Sequence, residues 1–393
     1  MRAGSNPNLL RTVAPPVMEA RRWLAETELP EGLPLLNLSQ AAPVDPPPPV
    51  LRDAMASALS EGGEAHLYGP VLGDAALRKE IADRWSATYG AEIAAEEVAV
   101  TAGCNQAFCA AIASLAAPGD AVMLPVPWYF NHKMWLDMSG IEATPLVCDE
   151  QMLPDPEEAA RRLTPETRAI VLVTPNNPTG AEYPADLIAA FYELARARGV
   201  ALVLDETYRD FHSGKGAPHT VLEEDAWRDT VIHLYSFSKV FRLTGHRTGA
   251  LITGVDRIAE IEKFLDTVTI CPPRTGQIGA LAGLRNLSQW VAGERAELLA
   301  RRAAVERVFA GLPDWRLKGV GAYFAWVEAP YDLLSTDLAR RLLADAGILT
   351  LPGTMFGPAD AAWGGDRALR IAFANADEAG IAEMGRRLAQ FSV

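Results

Sequence analysis

The sequence lacks the motifs of several large enzyme classes. No G-x-x-x-x-G-K-[ST] phosphate loop occurs, and the H-E-x-x-H and G-x-S-x-G patterns are absent as well. Gly319 and Gly321 start a G-x-G pattern that has Phe324 where a third glycine would stand. These absences disfavour a nucleotide-dependent enzyme, a zinc protease and a serine hydrolase.

Cysteine and positive charge are also scarce. The 4 cysteines contain no C-x-x-C pair, which is typical of reduced intracellular thiols and suggests neither a disulfide framework nor a zinc site. With 36 basic against 50 acidic residues the net charge is −14, which disfavours nucleic acid and anionic membranes as partners. Prolines and charges interrupt the apolar residues of the first 30 positions, so neither a signal peptide nor a membrane span is predicted. We expect a cytoplasmic protein with small-molecule ligands.

Short apolar runs rich in valine, isoleucine and leucine alternate with longer segments of helical periodicity. Such runs predict an α/β fold whose mainly parallel sheet is covered by helices on both faces. One intervening segment, Asp74 to Tyr89, has an apolar residue every four positions and a capping aspartate at its start. The runs are EEVAV (96–100), DAVMLPV (120–126), RAIVLVT (168–174), VALVLDE (200–206), TVIHLYS (230–236) and GALIT (249–253).

The length of 393 residues predicts more than one domain. We expect an N-terminal arm with part of a small domain over 1–50, a large domain over 51–287 and a smaller α+β domain over 288–393. The proline cluster VDPPPPV (44–50) should exclude helix and central strand and link the arm to the large domain. The last part should contain one long charged helix, ERAELLARRAAVERVFAGL, and the strands GAYFAWVE and ALRIAFA.

Polar residues follow the apolar runs, and ligands of open parallel sheets bind at these strand ends. After the first run, TAGCNQAF could bring a phosphate to the N–H groups of a helix N-terminus, or be an ordinary turn. In PNNPTG, Asn177 could simply hydrogen-bond its own backbone. Asp205 is either a helix cap or a buried carboxylate that needs a cation. TVIHLYS leads to Ser236, Ser238 and Lys239, with Arg247 behind them.

Together these strand ends supply the groups that a pyridine aldehyde phosphate requires. A lysine can condense with the aldehyde, while a carboxylate keeps the ring nitrogen protonated so that the ring can accept electrons. Arginine, serines and backbone N–H groups can hold the phosphate, and a phenol and an amide can steady the ring hydroxyl. A nearby pyridinium also favours the neutral form of the lysine amine, which could then act as a general base.

At this point the sequence resembles the class I/II aminotransferases, which are pyridoxal-phosphate enzymes of fold type I. The resemblance extends from Asn37 to Ala374 and keeps the order of the family's motifs. The matching segments are YGPVLGDAALRKEIA (68–82), PNNPTG, LDETY, SFSKVFRLTGHRTG, GAYFAW, LPGTMFG and ALRIAFA.

The resemblance implies a role for each matching residue. Lys239 would bind the cofactor covalently and shuttle a proton between the substrate α-carbon and cofactor C4′, opposite Asp205 at the pyridinium. Tyr129 would stack on the ring, with Trp128 or a plain aromatic core as the alternatives, and Arg370 would clamp the substrate carboxylate. Tyr208 and Asn177 would contact the ring oxygen. Tyr68 would reach the phosphate of a neighbouring subunit, which makes a homodimer part of the site. The residues that would bind the phosphate within the chain are Gly103, Cys104, Asn105, Ser236, Ser238 and Arg247.

Four positions depart from the family's pattern. NLSQAAPVDPP (37–47) replaces a glycine-rich segment, and Ala41 holds the position whose backbone would contact the substrate carboxylate. Asn105 stands where a lysine occurs in a branch that accepts acidic side chains, which favours neutral or aromatic amino acids here. Arg242 could lie near the cofactor or on the surface, and Arg274 could belong to the site of the neighbouring subunit.

Three hypotheses follow. The first is an aminotransferase that passes the amino group of an L-amino acid to a 2-oxo acid by a ping-pong mechanism. The second keeps fold and cofactor but eliminates a β-substituent, as a carbon–sulfur lyase does. The third is a cofactor-sensing regulator without turnover, which the short and weakly basic N-terminal 50 residues disfavour because they offer no DNA-binding module.

Overall fold

The computed structural model describes residues 4–40, 42–360 and 363–393. Its strands belong to one large sheet, one small sheet and a two-stranded pair. The strands are β1 (Leu36–Asn37), β2 (Val98–Thr101), β3 (Ala121–Val126), β4 (Glu142–Val147), β5 (Thr167–Val173), β6 (Ala201–Asp205), β7 (Val231–Ser236), β8 (Gly249–Ile252), β9 (Arg316–Gly321), β10 (Phe324–Glu328), β11 (Ile348–Leu349), β12 (Leu351–Pro352) and β13 (Ala368–Ala372).

One helix shows how capping residues in the sequence mark both ends of a helix. Asp74 accepts hydrogen bonds from two N–H groups of the helix it precedes, and Gly90 ends the same helix in a left-handed conformation. The helices are α1 (Pro7–Arg11), α2 (Pro16–Glu26), α3 (Pro49–Glu61), α4 (Ala75–Tyr89), α5 (Cys104–Ala113), α6 (Phe130–Ser139), α7 (Pro156–Arg162), α8 (Ala185–Arg198), α9 (Trp227–Thr230), α10 (Phe237–Val240), α11 (Val255–Thr269), α12 (Arg274–Asn286), α13 (Ser288–Ala310), α14 (Ser335–Ala346) and α15 (Glu378–Gln390).

One helix start corrects a prediction. The proline cluster was expected to exclude helix throughout 44–50, but α3 begins at Pro49, the last of its prolines. Proline is tolerated at the first position of a helix because the N–H that it lacks has no partner there in any case. Prolines therefore exclude a helix that runs through the cluster, and not one that starts in it.

The large sheet has seven strands in the order β2-β8-β7-β6-β5-β3-β4, and only β8 runs antiparallel to its neighbours. Successive residues of a strand face opposite cores: Val171 belongs to one buried cluster, Ile170 and Leu172 to the other. Helices α5 and α11 contribute to the first cluster, α4 and α8 to the second. This confirms the predicted α/β architecture, because each strand is apolar on both faces.

None of the apolar runs predicted β4, which lies at one edge of the large sheet beside β3. Several residues of β4 are only partly buried, and its sequence contains a proline, Pro145. An edge strand tolerates proline because one side of its backbone needs no ladder partner. A search for fully apolar runs therefore overlooks it.

The small sheet is antiparallel, in the order β12-β13-β10-β9. The register pairs Trp326 with Arg370, which sets the arginine in the middle of β13. The parallel pair β1 and β11 brings residues 36 and 37 to this part of the molecule. The domain boundaries at residues 50 and 287 stay a prediction.

The long helix α13 covers the segment for which one charged helix was predicted. It contacts both α15 and β9, so it joins the C-terminal helix to the small sheet. Across the parts of the chain that the structure describes, no helix combines the length and the apolar composition needed to cross a bilayer.

Candidate active site

A cavity of about 280 Å³ opens at the carboxyl edge of the large sheet and is also lined by β10 and β13 of the small sheet. Gly103 does not itself line the cavity, but it directly precedes Cys104, which does. Tyr68, by contrast, is 80% exposed and does not line the cavity, and Ala41 lies outside the described residues. The predicted residues in the wall are Cys104, Asn105, Tyr129, Asn177, Asp205, Tyr208, Ser236, Ser238, Lys239, Arg247 and Arg370.

Lys239 lies on the short helix α10, directly after β7, so the strand carries it to the edge of the sheet. Its Nζ lies 5.8 Å from the centre of the Tyr323 ring. Burial, together with the positive charges of Arg370 and Arg247, lowers the pKa of Lys239 to about 8. At physiological pH about one fifth of this amine is therefore neutral, which is far more than for an ordinary lysine, and able to attack a carbonyl or accept a proton.

Asp205 ends β6 and is almost fully buried. One carboxylate oxygen accepts hydrogen bonds from the N–H and hydroxyl of Thr207 at 3.0 and 2.7 Å, and the other lies 3.3 Å from Nε2 of His132. Burial alone would raise the pKa of Asp205, but these contacts outweigh it and hold that pKa below its ordinary value. The group is an anion that also holds its own turn. It caps no helix, because the next helical turn, Arg209–Phe211, is preceded by Tyr208, so of the two roles left open by the sequence the structure supports the buried carboxylate.

His132 is the contact that sequence reasoning missed. It lies on α6, and its ring stacks on Phe108 of α5 at a centroid distance of 3.8 Å. The stacking fixes the ring edge that faces Asp205. No local pattern indicated this pairing, because 73 positions separate the two residues and only the fold brings them together.

The end of the cavity near α5 is shaped for a compact anion. Gly103 has a φ of +86°, and a Cβ added to it would lie 2.2 Å from the guanidinium of Arg247. Arg247 donates to the Thr244 carbonyl at 2.9 Å and approaches the Ser238 hydroxyl at 3.5 Å. Ser236 caps α10 by accepting from the backbone N–H of Ser238 at 3.2 Å. The free N–H groups at the start of α5 and a guanidinium therefore converge on one point.

Asn177 and Arg370 are joined in the cavity although 193 positions separate them in the chain. The guanidinium donates to Oδ1 of Asn177 at 3.0 Å and to the backbone carbonyl of Ser39. Its Nε is buried without a hydrogen-bond partner. The turn that Asn177 was considered to stabilise is held by Asn176 instead, whose side chain accepts from Thr179 at 3.0 Å.

Aromatic groups form the remaining wall. The Tyr129 hydroxyl lies 3.4 Å from Oδ1 of Asn105, and burial raises the pKa of Tyr129 to about 12. Tyr208 packs edge to face on Phe324, and burial raises its pKa well above the ordinary value. Both phenols are therefore neutral donors. Trp128, the alternative to Tyr129, is buried outside the lining of this cavity.

The cavity fits pyridoxal phosphate in three respects. An amine with a lowered pKa and a buried carboxylate belong to one site, and the absence of a side chain at Gly103 lets the Arg247 guanidinium lie against the start of α5, where a phosphate would bind. The buried, unpartnered Nε of Arg370 leaves a donor for a second anion. A lysine held in this way at the edge of a mainly parallel seven-stranded sheet defines a pyridoxal-phosphate enzyme of fold type I.

Comparison with known proteins identifies the family. The family model "Aminotransferase class I and II" matches residues 34–388, and the chain belongs to this family of pyridoxal-phosphate-dependent aminotransferases. It is 31% identical to the arginine–pyruvate transaminase of Pseudomonas aeruginosa over 86% of each chain. It is 29% identical to a probable aspartate/prephenate aminotransferase of Thermus aquaticus, with 88% and 89% of the two chains covered.

A solved structure agrees in fold. The N-succinyldiaminopimelate aminotransferase of Mycobacterium tuberculosis superimposes with a TM-score of 0.87 at 28% identity, over 99% of this chain and all of the other. The amino donors in the names of these relatives differ from one another. Family membership therefore establishes the reaction type and leaves the donor to be inferred from the cavity.

Proposed function

We propose that the protein transfers the amino group of a neutral or aromatic L-amino acid to a 2-oxo acid, in two half-reactions at one site. Lys239, the buried carboxylate of Asp205 and the buried guanidinium of Arg370 line one cavity, and this arrangement supports the proposal. Since the first product leaves before the second substrate binds, the kinetics should be ping-pong. The cytoplasm remains the expected compartment.

Pyridoxal phosphate, when bound, supplies an aldehyde for the amino group and a protonated ring that withdraws electrons from the bond to be broken. Asp205 would hold the proton on the ring nitrogen, and Tyr208 and Asn177 would donate to the ring oxygen. Tyr129 would cover one face of the ring. Arg247, with Ser236, Ser238 and the backbone of Gly103, Cys104 and Asn105, would bind the phosphate.

Lys239 would move the proton that the reaction requires. With a pKa of about 8, its amine is neutral often enough to accept a proton from the α-carbon of the donor. Burial also keeps bulk water from supplying a competing proton. The same nitrogen would return the proton on the cofactor side.

Arg370 would bind the substrate carboxylate. Among the described residues that line the cavity, the cations are Lys239, Arg247 and Arg370, and each already has a role in this proposal. None is left for a carboxylate at the far end of a substrate, whereas Phe130 and Asn105 offer apolar and neutral surface. These features support a neutral or aromatic donor.

A homodimer is part of the proposal. Tyr68 is 80% exposed, and Leu67 beside it is 64% exposed, so both would be covered by a partner subunit. Val268 and Ile270 are exposed as well. The Gly69 N–H points to the Cys271 sulfur at 3.4 Å, which brings the two exposed segments together into one surface.

A panel of amino acids tests this function. Each is added to the holoenzyme without an oxo acid, and conversion of the cofactor is followed by its absorption. Neutral and aromatic amino acids should convert it stoichiometrically, and aspartate and arginine poorly. Release of pyruvate and ammonia from a cysteine conjugate, without any acceptor, would instead favour a carbon–sulfur lyase on the same fold.

A further inference from the structure

Arg242 lies three residues after Lys239 and joins three separate parts of the chain. Its guanidinium donates to both carboxylate oxygens of Glu294 on α13, at 3.0 and 2.8 Å. Its other terminal nitrogen lies 3.2 Å from Oδ2 of Asp45. Its backbone N–H donates to the Lys239 carbonyl at 3.3 Å, so the same residue closes the turn that carries the lysine.

Asp45 lies three residues after Ala42, in a segment whose start forms one wall of the active-site cavity. The Ser39 carbonyl accepts from Arg370, and Gln40 and Ala42 line the cavity. The wall segment is residues 39–45, of which the structure describes all but position 41. The ion pair with Arg242 therefore attaches the far end of this wall segment to the part of the molecule that holds Lys239.

Packing does little to hold the outer end of the wall segment in place, although Ser39 at its start is buried and the Gln40 carbonyl accepts from Asn375 at 3.0 Å. Val44 is 79% exposed, so its side chain adds almost no buried contact. A second cavity of about 640 Å³ is also lined by Gln40 and Ala42, and by Asp45 and Arg242. A segment with open space on two sides has few apolar contacts to fix it, and such segments open at low free-energy cost.

We propose that Arg242 is a positioning residue that holds the wall segment against the bound substrate. The substrate part of this statement rests on the proposed function. Arg242 does not touch the reacting atoms, so its loss should weaken binding of the amino acid and leave the rate of the chemical steps nearly unchanged. Arg242, which departs from the family's pattern, thus acts on the substrate side of the site.

The test compares R242Q, D45N and the double variant with a matched control, R307Q. Arg307 lies on α13, as Glu294 does, and pairs at 3.0 Å with Glu378 of α15, but it lines neither cavity. Hydrogen exchange of each holoenzyme is measured by mass spectrometry. We expect R242Q and D45N to accelerate exchange within residues 39–45 by at least about threefold, and R307Q to leave that segment unchanged.

Steady-state kinetics give a second measurement. We expect KM for the amino donor to rise about three- to tenfold in R242Q and D45N, with kcat within about twofold of the original. The double variant should resemble R242Q, because the first substitution already breaks the pair. Since Asp45 is 67% exposed, salt should weaken the pair, so KM should rise with ionic strength in the original enzyme and less so in D45N.

Unchanged exchange in the wall segment of both single variants would overturn the proposal. Accelerated exchange throughout the protein, with a lower melting temperature, would do so too, since it would reveal a merely structural role. Faster local exchange with an unaltered KM would refute the link to substrate. The exchange measurement needs no turnover, so failure of the proposed transamination and failure of this inference are distinguishable.

Discussion

At the scale of single residues, burial explains how Lys239 can serve as a base. An ordinary lysine has a pKa near 10.4 and is almost fully charged in the cell. In this cavity, loss of hydration and two neighbouring guanidinium groups disfavour the ammonium form. Asp205 stays ionised in spite of its burial, because His132 and Thr207 more than replace the water that it loses.

We predict that the amine of Lys239 in the cofactor-free protein reacts with acetic anhydride at a rate that rises through pH 8 and then levels off. Burial lowers the pKa of Lys239 to about 8, so above that pH the reactive neutral form predominates. The labelled fraction is measured by mass spectrometry, with the exposed Lys215 as an internal reference. A rate for Lys239 that keeps rising through pH 10 would contradict the lowered pKa.

A second residue-scale prediction concerns Arg370→Lys, which keeps the charge and loses the planar pair of donors. Because Arg370 is buried and also holds Asn177, we expect the loss to exceed about 2 kcal/mol, a drop in kcat/KM of about 30-fold or more. Cofactor affinity should fall by less than kcat/KM, because Arg370 would bind the substrate and reaches the cofactor site only through Asn177. Equal losses in amino-acid and cofactor binding would argue against this assignment.

At the scale of elements, the turn between β2 and α5 shows why a glycine is needed at a particular place. Gly103 adopts a φ of +86°, which a side chain disfavours, and it lies against the guanidinium that would bind phosphate. Gly119 has a similar φ of +95° but has nothing within 4 Å of an added Cβ. The two glycines therefore separate backbone strain from the effect on the cavity.

We predict that Gly103→Ala and Gly119→Ala both lower stability by about 1 to 3 kcal/mol, through backbone strain at positive φ. Only Gly103→Ala should also weaken cofactor binding, by at least about tenfold, because its methyl group displaces Arg247. Thermal unfolding measures the first effect, and titration of cofactor into the cofactor-free protein measures the second. If both variants bind the cofactor equally well, the turn is not the phosphate site.

The elements also show what the sequence could and could not predict. Fully apolar runs identified the central strands because both of their faces are buried, whereas the partly exposed edge strand β4 has no such run. Residues at strand ends could be assigned to one edge of the sheet. Contacts between distant positions, such as His132 with Asp205 or Asp45 with Arg242, have no local signal and appear only once the chain is folded.

At the scale of the whole molecule, the proposed homodimer would complete the site with Tyr68, which is exposed on the single chain. The resemblance to the family assigns Tyr68 to the phosphate of a neighbouring subunit, and in this chain the ring lies outside the cavity. Two copies related by a twofold axis would exchange such residues reciprocally.

We predict that Lys239→Ala and Tyr68→Ala chains, each inactive or weakly active alone, restore activity when they are co-expressed. In a mixed dimer one of the two sites combines an intact Lys239 with an intact Tyr68, so random assembly should give about a quarter of the original activity. As a control, co-expression of Lys239→Ala and Asp205→Asn chains should restore no activity, since each change affects the site of its own chain. No recovery in the first mixture would place Tyr68 outside the partner's site.

The most direct test of the account is the site of covalent attachment. Purified holoenzyme is reduced with borohydride and digested, and the peptide that carries the added mass of the cofactor is sequenced by mass spectrometry. We predict that the mass lies on Lys239, and that Lys239→Ala protein takes up no reducible cofactor and has no measurable turnover. Attachment to another lysine, or normal turnover by Lys239→Ala, would contradict the central claim.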